Sequence, residues 1–182
     1  MMHPSRMRFK KYLLDHLGDD TPIALETGNG RWDTGKRAWE LRGKSDIHFV
    51  IQDDAIFCKD FKTEVQNLIN RIGIDRCVCL YYARRKKYRH HAERAIKAGR
   101  DHVVLQHLRW GVGIGLRTNL IPDMIRYCDK LTIPNYDMRI KHWLLNKKIE
   151  TYYPLPSLLD HRPDIPSLVG HGIGRKAISF KG

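Results

Sequence analysis

The sequence predicts an α/β layered domain. Short, β-branched apolar runs alternate with longer segments of helical periodicity, the pattern of strands interleaved with helices. The chain's 182 residues, 42% of them hydrophobic, suit one compact domain with its own core and leave little room for a second. The clearest strand, Ile47-His48-Phe49-Val50-Ile51, ends abruptly in Gln52-Asp53-Asp54. Polar groups at a strand's carboxyl end are where open α/β sheets meet their ligands.

Taken in order, Arg6 to Leu17 places Phe9, Tyr12, Leu13 and Leu17 at helical spacing, and Gly18 stops it. A short strand is expected over Pro22 to Leu25, followed by the polar loop Glu26 to Arg31. From Trp32 the chain resembles a helix opening on an acidic or hydroxyl cap, Asp33-Thr34, and running to Leu41. After the Ile47–Ile51 strand come a helix over roughly Lys62 to Arg71 and a strand over Cys77 to Tyr82. A helix over His91 to Ala98 and a strand over His102 to Gln106 follow. Trp110 to Leu116 carries too many glycines for a helix. Helices are then expected over Asn119 to Lys130 and Met138 to Asn146, separated by the turn Pro134-Asn135-Tyr136-Asp137, and a strand over Thr151 to Tyr153. The tail from Pro163, rich in Pro, Gly and Ser, reads as irregular, and neither an internal repeat nor a low-complexity segment is evident.

Lys and Arg total 33 against 20 acidic residues, a formal net charge of +13 and a pI near 9.8. Polyanions are the natural partners of such a surface, although charge alone does not separate DNA from RNA or from an anionic membrane. No stretch approaches the roughly 20 apolar residues of a membrane span, and the basic start lacks the apolar core of a signal peptide, so a cytoplasmic location is expected. Cys58, Cys77, Cys79 and Cys128 lack paired zinc-ligand spacing and read as buried, reduced thiols.

Adjacent carboxylates repel and resist desolvation, so Asp53 and Asp54 call for a compensating cation. Magnesium or manganese, which prefer carboxylate oxygens, are the simplest answer. The plainer alternative is a solvated loop whose acids cap the next turn.

The run Phe49-Val50-Ile51-Gln52-Asp53-Asp54-Ala55, with Phe61 after it, resembles the strand and acidic motif of GT-A glycosyltransferases. Downstream, Trp110-Gly111 with Gly113, then Tyr136-Asp137, then Pro156-Ser157-Leu158-Leu159-Asp160-His161-Arg162, follow in that fold's order. The likeness covers roughly residues 20 to 165 and is greatest to the short glycosyltransferases of bacteriophages, including those associated with TET/JBP oxygenases and DNA base modification. It implies a Rossmann-like, nucleotide-sugar-binding single domain over residues 1–165, with a mixed central sheet flanked by helices, and an irregular basic tail over 166–182. Gln52 stands where the first acid of the family's DxD-like triplet usually sits. That departure throws the weight onto Asp54 for the metal and Asp53 for ribose or metal, with His161 completing the metal sphere. The resemblance further implies a donor site, a UDP-sugar first among the possibilities, formed by Asp33, Arg37, Asp53, Trp110, Gly111 and Arg162, to which the basic tail would add Arg175. Asp137 faces the acceptor and would act as general base, giving inversion at the anomeric carbon; as a helix N-cap it would be purely structural.

A hydroxylated base in phage DNA is the acceptor that both likeness and charge favour, in a host cytoplasm if the chain is phage-encoded. Arg84, Arg85, Lys86, Lys87 and Arg89, with Tyr88 interleaved, form the candidate DNA-contacting surface. The tail run Gly170-His171-Gly172-Ile173-Gly174-Arg175-Lys176 suits a basic flap over a diphosphate or a disordered end. Gly111, Gly113 and Gly115 lack the spacing of a dinucleotide fingerprint, and His90-His91 fits a solvated patch better than a metal site. The rival readings are transfer to a carbohydrate or protein, a metal-dependent nuclease drawing on Asp60, Glu64 or Glu93, and a nucleic-acid-binding module without catalysis.

Overall fold

A computed structural model describes residues 1–73, 75–166 and 174–182. The chain opens with a 3-10 turn, Pro4–Phe9, and continues through α1 (Lys10–Leu17), α2 (Arg31–Glu40), β1 (Ile47–Ile51), β2 (Ala55–Phe57) and α3 (Phe61–Ile72). It proceeds through β3 (Cys77–Cys79), α4 (Lys86–Lys97), β4 (His102–Leu105), β5 (Gly113–Arg117), α5 (Ile121–Asp129), α6 (Tyr136–Lys147), β6 (Thr151–Pro154) and β7 (Leu159–His161). Five strands form the main sheet in the order β1-β5-β3-β6-β4, and β2 pairs with β7 in a separate ribbon. Among the strand pairs of the described residues, β3 and β6 run parallel and the others antiparallel. The expected single α/β domain with a mixed sheet flanked by helices is what forms.

The core explains the order. Val78, Ile114, Leu116, Tyr153 and Leu80 are fully buried in or beside the sheet, while α5 and α6 contribute Met124, Ile140 and Trp143. The glycine-bearing stretch, expected only to avoid helix, is strand β5 at the sheet's second position. Its glycines are needed there by close approach. A Cβ on Gly115 would lie 2.4 Å from Phe49 Cε1, and one on Gly113 would lie 2.3 Å from Leu159 Cδ1. All four cysteines are buried and free.

Several boundaries differ from expectation. Within Pro22 to Leu25 only Leu25 pairs, through an isolated parallel bridge to Met2. The first helix divides, because Pro4 supports a tight turn before α1 begins. Helix α2 starts at Arg31 behind Gly30, whose φ of 92° suits glycine, so Asp33 lies in the first turn rather than at the cap. Helix α4 starts at Lys86, which places most of the basic run on a helix. The described tail contains no helix or strand but docks firmly: Ala177 bridges Ala83, and Phe180 bridges Ser157. No helix among the described residues is long and apolar enough to cross a membrane.

Candidate metal and ligand site

The acidic pair lies in the tight turn joining β1 to β2, closed by the Ala55 amide donating to Gln52 O at 3.2 Å. Both carboxylate residues are 5% exposed. The β2/β7 ribbon then fixes their neighbour. Its register sets Ala55 opposite His161, and the Arg162 amide donates to Asp54 O at 2.9 Å. A histidine over a hundred positions downstream is thereby delivered to Asp54.

His161 Nδ1 lies 3.0 Å from Arg162 O, and since a carbonyl only accepts, Nδ1 is the donor there. Nε2 then turns toward the carboxylate, 2.9 Å from Asp54 Oδ2, but without hydrogen-bond alignment. Asp54 Oδ1 is buried and has no hydrogen-bond partner among the described residues. Asp54 Oδ1 and His161 Nε2 are therefore the two atoms left open to a cation, since Asp54 Oδ2 already accepts from Arg6 at 2.9 Å. A ligating histidine typically anchors its other nitrogen on a carbonyl. Asp54 and His161 are the donors on which a magnesium or manganese ion would draw. No group of three or more His, Cys, Asp or Glu side chains gathers there among the described residues, so water or substrate oxygens would complete the sphere.

Asp53 is differently engaged. Arg6, itself 7% exposed, places Nη1 2.7 Å from Asp53 Oδ1 and 2.9 Å from Asp54 Oδ2, and its Nη2 donates to Pro166 O at 2.9 Å. The second Asp53 oxygen accepts the His3 amide at 2.6 Å. Burial pushes the Asp54 carboxyl up, but His161, Arg6 and Arg175 together outweigh it and hold it below the usual range. Burial lowers Arg6 while Asp53 and Asp54 raise it further, so it stays charged. Neither Arg6 nor His3 is evident as a site residue in the sequence, where the basic start reads only as a helix face.

A cavity of about 550 Å³ opens beside the pair. Gln52, Asp53, Asp54, Trp110, Gly111 and Asp137 line it, together with Arg84, Arg85 and Arg175. Glu26, Arg31, Thr34, Tyr81 and Arg109, not anticipated from sequence, line it as well. Gly111 permits the start of α6 to come close, since a Cβ there would lie 2.8 Å from Tyr136 Oη and 3.1 Å from Asp137 Cβ. The Tyr136 hydroxyl donates to Gly111 O. Asp137 sits in the first turn of α6, with Asn135 at the cap position, so its location is not that of an N-cap. Its Oδ1 accepts the Met138 amide at 2.9 Å.

Arg175 Nη2 lies 3.8 Å from Asp54 Oδ2, and its buried Nε and Nη2 have no hydrogen-bond partner among the described residues. Burial lowers its pKa, and the opposing pull of Asp54 does not restore it. Buried guanidinium donors facing a cavity suit an anion. The remainder of the tail flap, residues 170–173, lies outside the described residues.

Other expected residues fall elsewhere. Asp33 and Arg37 pair with each other at 2.9 Å, and Arg37 also reaches Leu25 O; neither lines the cavity. Arg162 stacks its guanidinium on Phe9 and Tyr12, at 4.2 and 4.6 Å from the ring centroids, and is also absent from the lining. Lys86, Lys87 and Arg89 are exposed on α4, continuous in sequence with Arg84 and Arg85 at the cavity. The acids a nuclease would need are dispersed: Glu64 pairs with Lys181 and Glu93 with Arg89, while Asp60 precedes α3. No protein-family profile matches the chain, and a search of curated proteins finds no match.

Proposed function

We propose that the protein is a metal-dependent glycosyltransferase that moves a sugar from a nucleotide-sugar donor, a UDP-sugar foremost, to a hydroxyl acceptor. A hydroxylated base in phage DNA is the acceptor we favour. The observation that carries this reading is the convergence of Asp54, Asp137, Trp110-Gly111 and Arg175 on one cavity from distant parts of the chain, with His161 outside the lining but 2.9 Å from Asp54 Oδ2. When bound, a divalent ion supplies Lewis-acid stabilisation to a departing diphosphate.

Arg175, with unpartnered buried donors, and Arg84 and Arg85 at the rim supply further positive charge to the leaving group. Trp110 and Gly111 form the wall beside Asp137 against which the sugar lies. The Asp137 carboxylate takes the proton of the incoming hydroxyl, and a base opposite the leaving group gives inversion. Sugar transfer passes through an oxocarbenium-like state, as in glycoside hydrolysis. A modified base within a duplex would be flipped to reach the cavity, with exposed α4 against the phosphates.

The first test is thermal stability against uridine diphosphate. Ligand binding to the folded state raises the melting temperature, and a rise is expected only with magnesium or manganese present. An equal rise in chelator would remove the metal from the donor site.

A further inference from the structure

We propose that Arg6 is a positioning residue of the metal site, a built-in counter-cation that keeps Asp53 from ligating the ion and so sets the site's affinity. This rests on Asp54 and His161 being the metal ligands. Both oxygens of Asp53 are occupied by the amino-terminal segment, Oδ1 by Arg6 and Oδ2 by the His3 amide. Asp54 gives Arg6 only Oδ2 and keeps Oδ1 unpartnered. The two acids that look equivalent in sequence are therefore unequal: Asp53 has both oxygens hydrogen-bonded, and Asp54 has one open.

Arg6 is fixed in this role. It is buried, anchored behind by Pro166 O, and carried on a segment tied down by Met2 N to Ala24 O at 2.9 Å and Glu26 N to Met2 O at 2.8 Å. A fixed positive charge within hydrogen-bonding distance of both carboxylates lowers the attraction any second cation feels there. Removing it has two consequences in the same direction: the local charge becomes more negative, and Asp53 is freed to join Asp54 and His161. A residue that merely kept the turn folded would act oppositely, because its loss would disorder the ligands and weaken binding.

Manganese binding followed by calorimetry, with melting temperature beside it, separates these cases. Arg6→Gln is expected to bind manganese about tenfold more tightly than wild type or better. It should melt below wild type in chelator and recover on adding the ion. Adding Asp53→Asn to Arg6→Gln should return affinity to near the wild-type value, since it removes the freed ligand and the excess negative charge together. Arg6→Lys, a point charge able to satisfy fewer acceptors, should fall between wild type and Arg6→Gln, and it carries the test if Arg6→Gln does not fold. Unchanged or weaker binding in these single variants, with wild type still binding, overturns the role of Arg6 alone. A gain that survives Asp53→Asn also overturns it. Absence of manganese binding in wild type and Arg6→Gln alike removes the metal reading and this proposal with it.

Discussion

At the scale of single residues, the site depends on distinctions between like groups. Asp54 and Asp137 are both carboxylates beside one cavity, yet Asp54 is held ionised by His161, Arg6 and Arg175 against burial, whereas Asp137 lies at the start of a helix. Asp137→Asn should lower transfer by about 10²- to 10⁴-fold while sparing donor affinity and melting temperature, because asparagine fits the same turn but takes no proton at neutral pH. Normal transfer by this variant, measured beside uridine diphosphate binding, would remove the base. Asp54 makes a separate prediction for stability. Its folded carboxyl titrates below the usual value of 3.8, so its contribution is fully present above pH 3.8 and is lost as pH falls through the lowered folded value. Urea denaturation across that acid range should show a shallower decline in Asp54→Asn than in wild type.

At the scale of elements, the β2/β7 ribbon matters more than its length suggests, since its register, with the Arg162 amide on Asp54 O, sets His161 against Asp54. Leu159 in β7 covers Gly113 of β5, where an added Cβ would fall 2.3 Å from Leu159 Cδ1. Gly113→Ala should therefore displace a fully buried side chain two positions from His161, costing about 1–3 kcal/mol of stability and weakening manganese binding together with it. A variant that loses stability but binds manganese as wild type does would uncouple the sheet from the site. The ribbon was also the least legible part of the sequence. Strand β1 announces itself by five consecutive residues of strand type ending in two acids, but β2 and β7 have three residues each, too few for any periodicity. Strand β5 is hidden by its glycines, which lower strand propensity while permitting Phe49 and Leu159 to pack. Arg6 meets Asp53 across 47 positions, and local pattern carries no record of a contact so distant. What was readable was chemistry placed at a strand end; what was not was the partner supplied from elsewhere.

At the scale of the whole molecule, the net charge of +13 is distributed so that its parts are separable. Arg84 and Arg85 line the cavity, whereas Lys86 and Lys87 stand exposed on the first turn of α4, outside the lining. If α4 follows the acceptor's phosphates while the cavity holds the donor, the two pairs should fail differently. Lys86→Gln with Lys87→Gln should weaken DNA binding and flatten its dependence on salt, each lost phosphate contact lowering the slope by about 0.9, with uridine diphosphate affinity unchanged. Arg84→Gln with Arg85→Gln should weaken both ligands, since these guanidinium groups face the cavity and adjoin the helix. Fluorescence anisotropy of a duplex across a salt series, beside calorimetry with the nucleotide, reads the two effects independently. An unchanged slope in the lysine pair would place the acceptor surface away from α4, and an unchanged nucleotide affinity in the arginine pair would confine the donor's anionic contacts to the Arg175 side of the cavity.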